Sequence, residues 1–355
     1  MINILNLSKE LISIDTSPSK GENLLYALNL VRKQLQGFTI EEFTNEGYKS
    51  ILVYKEQKRP QKFGVILNGH LDIIPGNKSQ YKAFEKGPRL YGVGSMDMKS
   101  NVACLISSFL VSVEKTKDPL ALQIVTDEEI GGFYGTKHQI DKGVRAKFVI
   151  SGETTNFNIV NQAKGILWIK IHSMGKTAHG AYPWKGKNAI WKMNIFLNKL
   201  RELFPEPDTE TFGSTLNISS IETSNDTFNK IPESCSIKLD VRFTPGDEVK
   251  ILKNIKNILP SDFKLELITE EPALNVNTNN KYLNNLKNLT QVILKRDVRF
   301  YCAHGSSDAR HFASVGIPSV EFGPIGGGIG TNKEWINITS LEKYTKVLNE
   351  FLLQI

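Results

Sequence analysis

An α/β fold is predicted for the 355 residues, a mostly parallel sheet flanked by helices with a second, ferredoxin-like α+β unit inserted, and three observations predict it. Apolar strand-like runs at Val65-Ile66-Leu67, Leu120–Val125 and 146–150 are separated by helical stretches, the alternation that builds a parallel sheet. Each run leads into a group able to hold a cation: His70, the Glu128/Glu129 pair and Glu153. Between 164 and 272 the order changes to strand, helix, strand, strand, helix, strand, a ferredoxin-like unit. The chain therefore reads as one domain split over 1–163 and 273–355, with 164–272 inserted.

Composition sets the outer limits. At 355 residues and 40% hydrophobic, the chain buries a sizeable core and exceeds the usual size of one domain. No basic leader opens it and no stretch is apolar for long enough to span a bilayer, so a soluble, unprocessed protein with no membrane partner is expected. Cys104, Cys235 and Cys302 form no close pair, which excludes a disulfide framework and fits a reducing cytoplasm. The net charge of +7, from 44 basic and 37 acidic side chains, is spread along the chain. Lys250, Lys253 and Lys256 alternate with Ile251, Leu252 and Ile255 as the solvated face of a helix. No basic stripe interleaved with aromatics marks a nucleic-acid surface.

In chain order, 4–14 reads as an amphipathic helix stopping before Thr16-Ser17-Pro18. The strand that follows ends in Asn68-Gly69-His70-Leu71-Asp72. Residues i and i+2 of a strand point to one side, so Asp72 can accept from one ring nitrogen of His70 while the other faces a cation. The glycines of Tyr91-Gly92-Val93-Gly94-Ser95-Met96-Asp97 mark a loop, and 99–114 turns helical, with Asp97 at the junction. Strand Leu120–Val125 runs into Thr126-Asp127-Glu128-Glu129, and strand 146–150 into Ser151-Gly152-Glu153. Ligands of parallel sheets bind beyond the carboxyl ends of the strands, so these groups converge in one crevice.

The inserted unit takes strands at 166–172, 216–221, Ile237 to Phe243 and 263–268, with helices at 188–203 and 247–259. Pro272 marks the return. Helices follow at 282–294 and 306–314, then a strand at 318–322, the glycine-rich 323–330 segment, and a closing helix whose cap is read as a box of Thr339 and Glu342.

One histidine with several carboxylates and no thiolate is a nitrogen and oxygen donor set suited to zinc, cobalt or manganese. Adjacent carboxylates at Glu128 and Glu129 can divide the work, one holding metal and one serving as base to a metal-activated water.

The succession Gly-His-Leu-Asp, Gly-Ser-Met-Asp-Met-Lys, Asp-Glu-Glu-Ile-Gly-Gly and Gly-Glu, followed by an inserted domain carrying Ala178-His179-Gly180, resembles a known family. It is that of the co-catalytic zinc metallopeptidases and deacylases, which includes succinyl-diaminopimelate desuccinylase, acetylornithine deacetylase and glutamate carboxypeptidase. The resemblance covers nearly the whole chain. It implies a metal-dependent hydrolase of a linear amide, acting on an N-acyl amino acid or dipeptide, with the inserted unit as dimerisation domain of a homodimer. It further implies that Asp97 bridges two metals, that His70 and Glu153 complete one site, and that Glu129 serves the second. Glu128 stands at the general base, Asp72 at the residue orienting the histidine, and His179 at a histidine that reaches the partner subunit's active site. Asn217, Arg242, Ser307 and Arg310 stand at substrate-contacting positions.

One departure stands out. The family's last ligand of the second metal is a histidine six residues after the proline of Phe322-Gly323-Pro324, and that position here is Gly330. Three readings follow: an active amidohydrolase with one firmly held zinc and a weak second site; a catalytically silent homologue binding a small carboxylate; or a stand-in ligand from His304 or His311. The first is expected, because Glu128, Glu129 and His179 are all retained.

Overall fold

A computed structural model describes residues 2–355 as two compact units. One runs to Asn161 and resumes at Asn275–Tyr301 and Ser307–Ile355; the other is Gln162–Leu274 with Cys302–Ser306. The sequence reading leaves 302–306 with the flanking segments. They join the inserted unit because Cys302 bonds Gln162 at 3.1 Å and His304 bonds Glu210 at 2.9 Å.

The large sheet centres on Phe63–His70, every residue of which is buried. It is parallel to Leu120–Val125 on one side and Ala146–Ser151 on the other, and Ser319–Glu321 is parallel to Ala146–Ser151. Unbroken apolar runs are what a parallel sheet covered on both faces requires. An antiparallel hairpin, Thr39–Asn45 with Tyr48–Tyr54, extends the edge beyond Leu120–Val125. A small second sheet links Phe84–Lys86, Arg89–Tyr91, Trp335–Asn337 and Gly326–Gly327. Its short strands have too few residues for a readable alternation, so the sequence shows only glycines there.

In the inserted unit, strands Gly165–Met174, Thr215–Thr223, Ser234–Phe243 and Phe263–Glu271 form an antiparallel sheet in the order second, third, first, fourth. That order is ferredoxin-like, as expected. Leu167, Ile169 and Ile171 alternate inward with Ile237, Leu239 and Val241. They pack with Met193 and Phe196 of helix Ala189–Leu203 and Ile251 and Ile255 of helix Glu248–Ile258.

The closing helix spans Ile338–Leu352, and its cap corrects the expectation. Asn337, not Thr339, accepts from the Ser340 N–H, at 2.8 Å. The helix starts two residues too early for a Thr339/Glu342 box to reach its free amides. Among the described residues no helix is long and apolar enough to cross a membrane.

Candidate metal centre

Strand register brings the expected groups together. His70 pairs with Val125, and Asn68 with Ser151, so Glu128 and Glu153 follow directly from strand ends flanking His70. Helix Ser100–Ser112 closes over this end of the sheet. A Cβ on Gly69 would meet Leu105 at 3.0 Å, and one on Gly152 would meet Leu105 and Met98 at 2.9 Å. The glycines preceding His70 and Glu153 are thus what lets the helix pack there. Beneath, a buried amide ladder crosses the sheet: Ser151 donates to Asn68, Asn68 to Gln123, Gln123 to Gln139 and Gln139 to Ser50, all at 2.7–2.9 Å. A fully satisfied ladder of this kind admits one register and holds the strand ends level.

His70, Asp97 and Glu153 each offer a ligand atom within 4.8 Å of the others. His70 Nε2 lies 3.1 Å from Asp97 Oδ1 and 3.7 Å from Glu153 Oε1, and the ring is 1% exposed. On its other side Nδ1 faces the Asp72 backbone carbonyl at 3.0 Å and Asp72 Oδ1 at 3.4 Å. The orienting contact expected from the Asp72 carboxylate is therefore made first by its carbonyl. The Asp72 Oδ2 instead accepts from the Glu129 N–H at 2.8 Å.

The charge in this crevice is one-sided. Burial opposes a positive His70, yet Asp72, Asp97, Glu153 and Glu128 carry its pKa well above the usual value. Burial, and then the neighbouring carboxylates, pushes Glu128 and Glu153 well above the usual carboxylate range, against the pull of His70. Glu129 is lifted to about 7 by burial and Asp97. Glu153 Oε1 is buried with no hydrogen-bond partner. A buried, unpartnered carboxylate oxygen beside an imidazole and a second carboxylate fits a divalent cation, which would satisfy that oxygen and offset the repulsion.

The second-metal side differs. Glu129 stands outside the close trio, and its Oε1 accepts from the Ile74 N–H at 3.1 Å. Gly330 has φ +65°, and among the described residues other than its chain neighbours the only atom within 4 Å of a Cβ there is Ile74 Cδ1, at 3.9 Å. Neither stand-in histidine belongs to the trio. His304 Nε2 is on Glu210, and His311 Nε2 donates to the Gly131 carbonyl at 2.8 Å. Burial and Arg310 lower the His311 pKa to about 3.

Ser307 is buried and donates to Glu321 at 2.6 Å. Arg310 is 2% exposed and donates to the Ser307 and Gly131 carbonyls. In the inserted unit, Arg242 pairs with Asp240 through two hydrogen bonds, Asn217 is exposed on the strand opposite Asp240, and His179 is exposed and accepts from the Ala181 N–H.

Two positioning groups escape the sequence reading. Asn101 Nδ2 donates to the Gly152 carbonyl at 2.6 Å and Thr154 Oγ1 at 3.0 Å, fixing the turn that carries Glu153. Glu334 accepts three backbone amides of the turn that carries Asp97. Only its place before the Trp335–Asn337 strand, in a stretch still resembling the family, points to it.

Residues 66–354 match peptidase family M20/M25/M40. The chain is 27% identical, over an alignment 384 positions long that covers 99% of each sequence, to the succinyl-diaminopimelate desuccinylase of Rickettsia rickettsii (strain Sheila Smith). Its fold is similar to that of an aminopeptidase of Bacillus cereus ATCC 10987, with TM-score 0.81, 19% identity, and 99% of this chain and 97% of that one covered. It is also similar to an M20 family metallo-carboxypeptidase of Sulfolobus solfataricus, with TM-score 0.79, 17% identity and 99% of both chains covered.

Proposed function

The chain belongs to peptidase family M20/M25/M40 and is a hydrolase of amide bonds, and we propose that it cleaves an N-acyl amino acid or small peptide around one firmly held zinc ion. The observation that carries this reading is the His70, Asp97 and Glu153 trio with the unpartnered Glu153 oxygen. Those three residues would hold the metal, which when bound supplies Lewis acidity and lowers the pKa of water. Cobalt or manganese suits the same donors.

Glu128 is the general base. It is held in a tight turn directly after the Leu120–Val125 strand, and its raised pKa suits a group that takes a proton from water and returns it to the departing amine. Asp72 and the amide ladder orient His70. Glu129 serves a weak second site, since the position that would complete it is Gly330. Arg242, Asn217, Ser307 and Arg310 serve substrate binding, the arginines suiting a carboxylate. In a homodimer formed through the inserted unit, His179 steadies the developing oxyanion of the partner's substrate. The protein works in the cytoplasm on a free metabolite.

A silent, ligand-binding homologue is disfavoured, because relatives aligned over 99% of the chain carry enzyme names and the base and all three ligands of the first site are present. N-succinyl, N-acetyl and aminoacyl amino acids, assayed as a panel with zinc titrated in, test the proposal. Turnover of at least one, lost on chelation, is expected. No turnover of any at saturating zinc would overturn it.

A further inference from the structure

We infer that Glu334 is the positioning residue through which the loop that lacks its histidine still serves the metal centre; the inference rests on the proposed zinc site. Glu334 Oε1 accepts from the Met96 N–H at 2.9 Å and the Asp97 N–H at 3.3 Å, and Oε2 accepts from the Gly94 N–H at 3.0 Å. One carboxylate thus gathers three amides of the turn that presents Asp97 to His70.

The turn needs this partner. Asp97 has φ −128° and ψ 92° and Met98 φ −129° and ψ 34°, so the segment Ser95–Lys99 leaves helical geometry at both before the following helix begins. Its neighbours are buried, as is Glu334 at 5% exposure, so amides left unpaired there would carry a full desolvation cost. A carboxylate answers all three donors at once. A glutamine could not, because its NH2 would face at least one of the N–H groups.

The carboxylate is itself fixed from the strand behind it. Trp335 pairs with Tyr91 and Ile336 with Leu90, and Gly92 donates to the Glu334 carbonyl at 3.3 Å. The guanidinium of Arg89 covers the Trp335 ring at 3.8 Å. The Glu153 side of the site is tied to the same turn, since Asn101 bonds Gly152 and Thr154, and Thr154 donates to the Met96 carbonyl at 2.7 Å. The loop that carries Gly330 therefore acts on Asp97 from behind instead of contributing a ligand.

The test measures Zn2+ affinity of the metal-stripped full chain against a chromophoric chelator, with no substrate present. Glu334→Gln is expected to weaken zinc binding about 10- to 100-fold, the usual effect of removing a group that orients a ligand. Ile140→Ala, a cavity in the core beside Ala121 and Phe312, controls for stability: it should lower Tm and leave the zinc Kd unchanged. If Glu334→Gln fails to fold, Glu334→Asp, which keeps the charge but falls short of the turn, should show the same direction. A folded Glu334 variant with wild-type zinc Kd would overturn this inference alone. A wild-type chain that binds no zinc would overturn the metal reading and this inference with it.

Discussion

The Nδ1 atom of His70 lies closer to the backbone carbonyl of Asp72, at 3.0 Å, than to the Asp72 carboxylate, at 3.4 Å. The carbonyl accepts from Nδ1 at the shorter distance and so favours leaving Nε2 to face Asp97, while the carboxylate adds charge behind the ring. Asp72→Asn should therefore keep the ring in place and weaken zinc about 10-fold, the low end of effects on orienting groups. His70→Ala should abolish the site. Zinc competition separates the two, and equal losses in both variants would contradict this division of roles.

Glu128 is predicted to act on protons and not on metal. It lies outside the close trio while sharing its electrostatics with His70 and Glu153. Glu128→Gln should lower kcat by about 10²- to 10⁴-fold, the range for general-base removal, with bound zinc per chain unchanged. Metal analysis alongside steady-state rates decides it, and loss of zinc in step with rate would make Glu128 a ligand instead.

What could be read beforehand follows from the range of the interactions. His70 and Glu153 were legible because one ends an apolar strand and the other lies two residues beyond one, and parallel strands present their ends together. Asp97 was legible from a glycine loop meeting a helix. Glu334 was not, since its partners are backbone amides up to 240 residues earlier, and backbone donors leave no mark on side-chain pattern. The Asn337 cap was missed for a related reason: Thr339 and Glu342 have the spacing of a capping box, and which residue leaves the helix is set by the Trp335–Asn337 strand before it. The placement of 302–306 likewise depends on contacts to Gln162 and Glu210, far apart in sequence.

Glu321 should make the metal-free protein lose stability as pH rises. Burial lifts its carboxyl from about 4.5 to about 7, with the Ser307 hydroxyl bond opposing. The folded chain then holds a proton that the unfolded chain releases above pH 4.5. Its contribution is complete below that pH and is lost as pH climbs through about 7. Glu321→Gln has no such dependence. Urea unfolding of both proteins should show wild type losing on the order of 3 kcal/mol relative to the variant between pH 4.5 and 7.5. A difference that does not change with pH would mean that Glu321 is ionised in the fold.

Restoring an imidazole at the position of Gly330 tests whether its absence is what limits the metal count. A Cβ there has open space, with Ile74 Cδ1 at 3.9 Å as its nearest neighbour, and the Ile74 amide is the group bonded to Glu129. A side chain at this position would thus enter beside the residue that holds Glu129, the acid proposed for the second site. The backbone opposes it: φ of +65° is a left-handed conformation that costs an L-residue about 1–2 kcal/mol. Gly330→His should therefore lower Tm in the metal-free state, raise bound zinc from about one to about two per chain, and regain Tm when zinc is added. Gly330→Ala carries the same backbone cost without a donor and should stay at one zinc. If Gly330→His folds and also stays at one, Glu129 is committed to Ile74, and the loss of the second site lies there and not in the missing histidine.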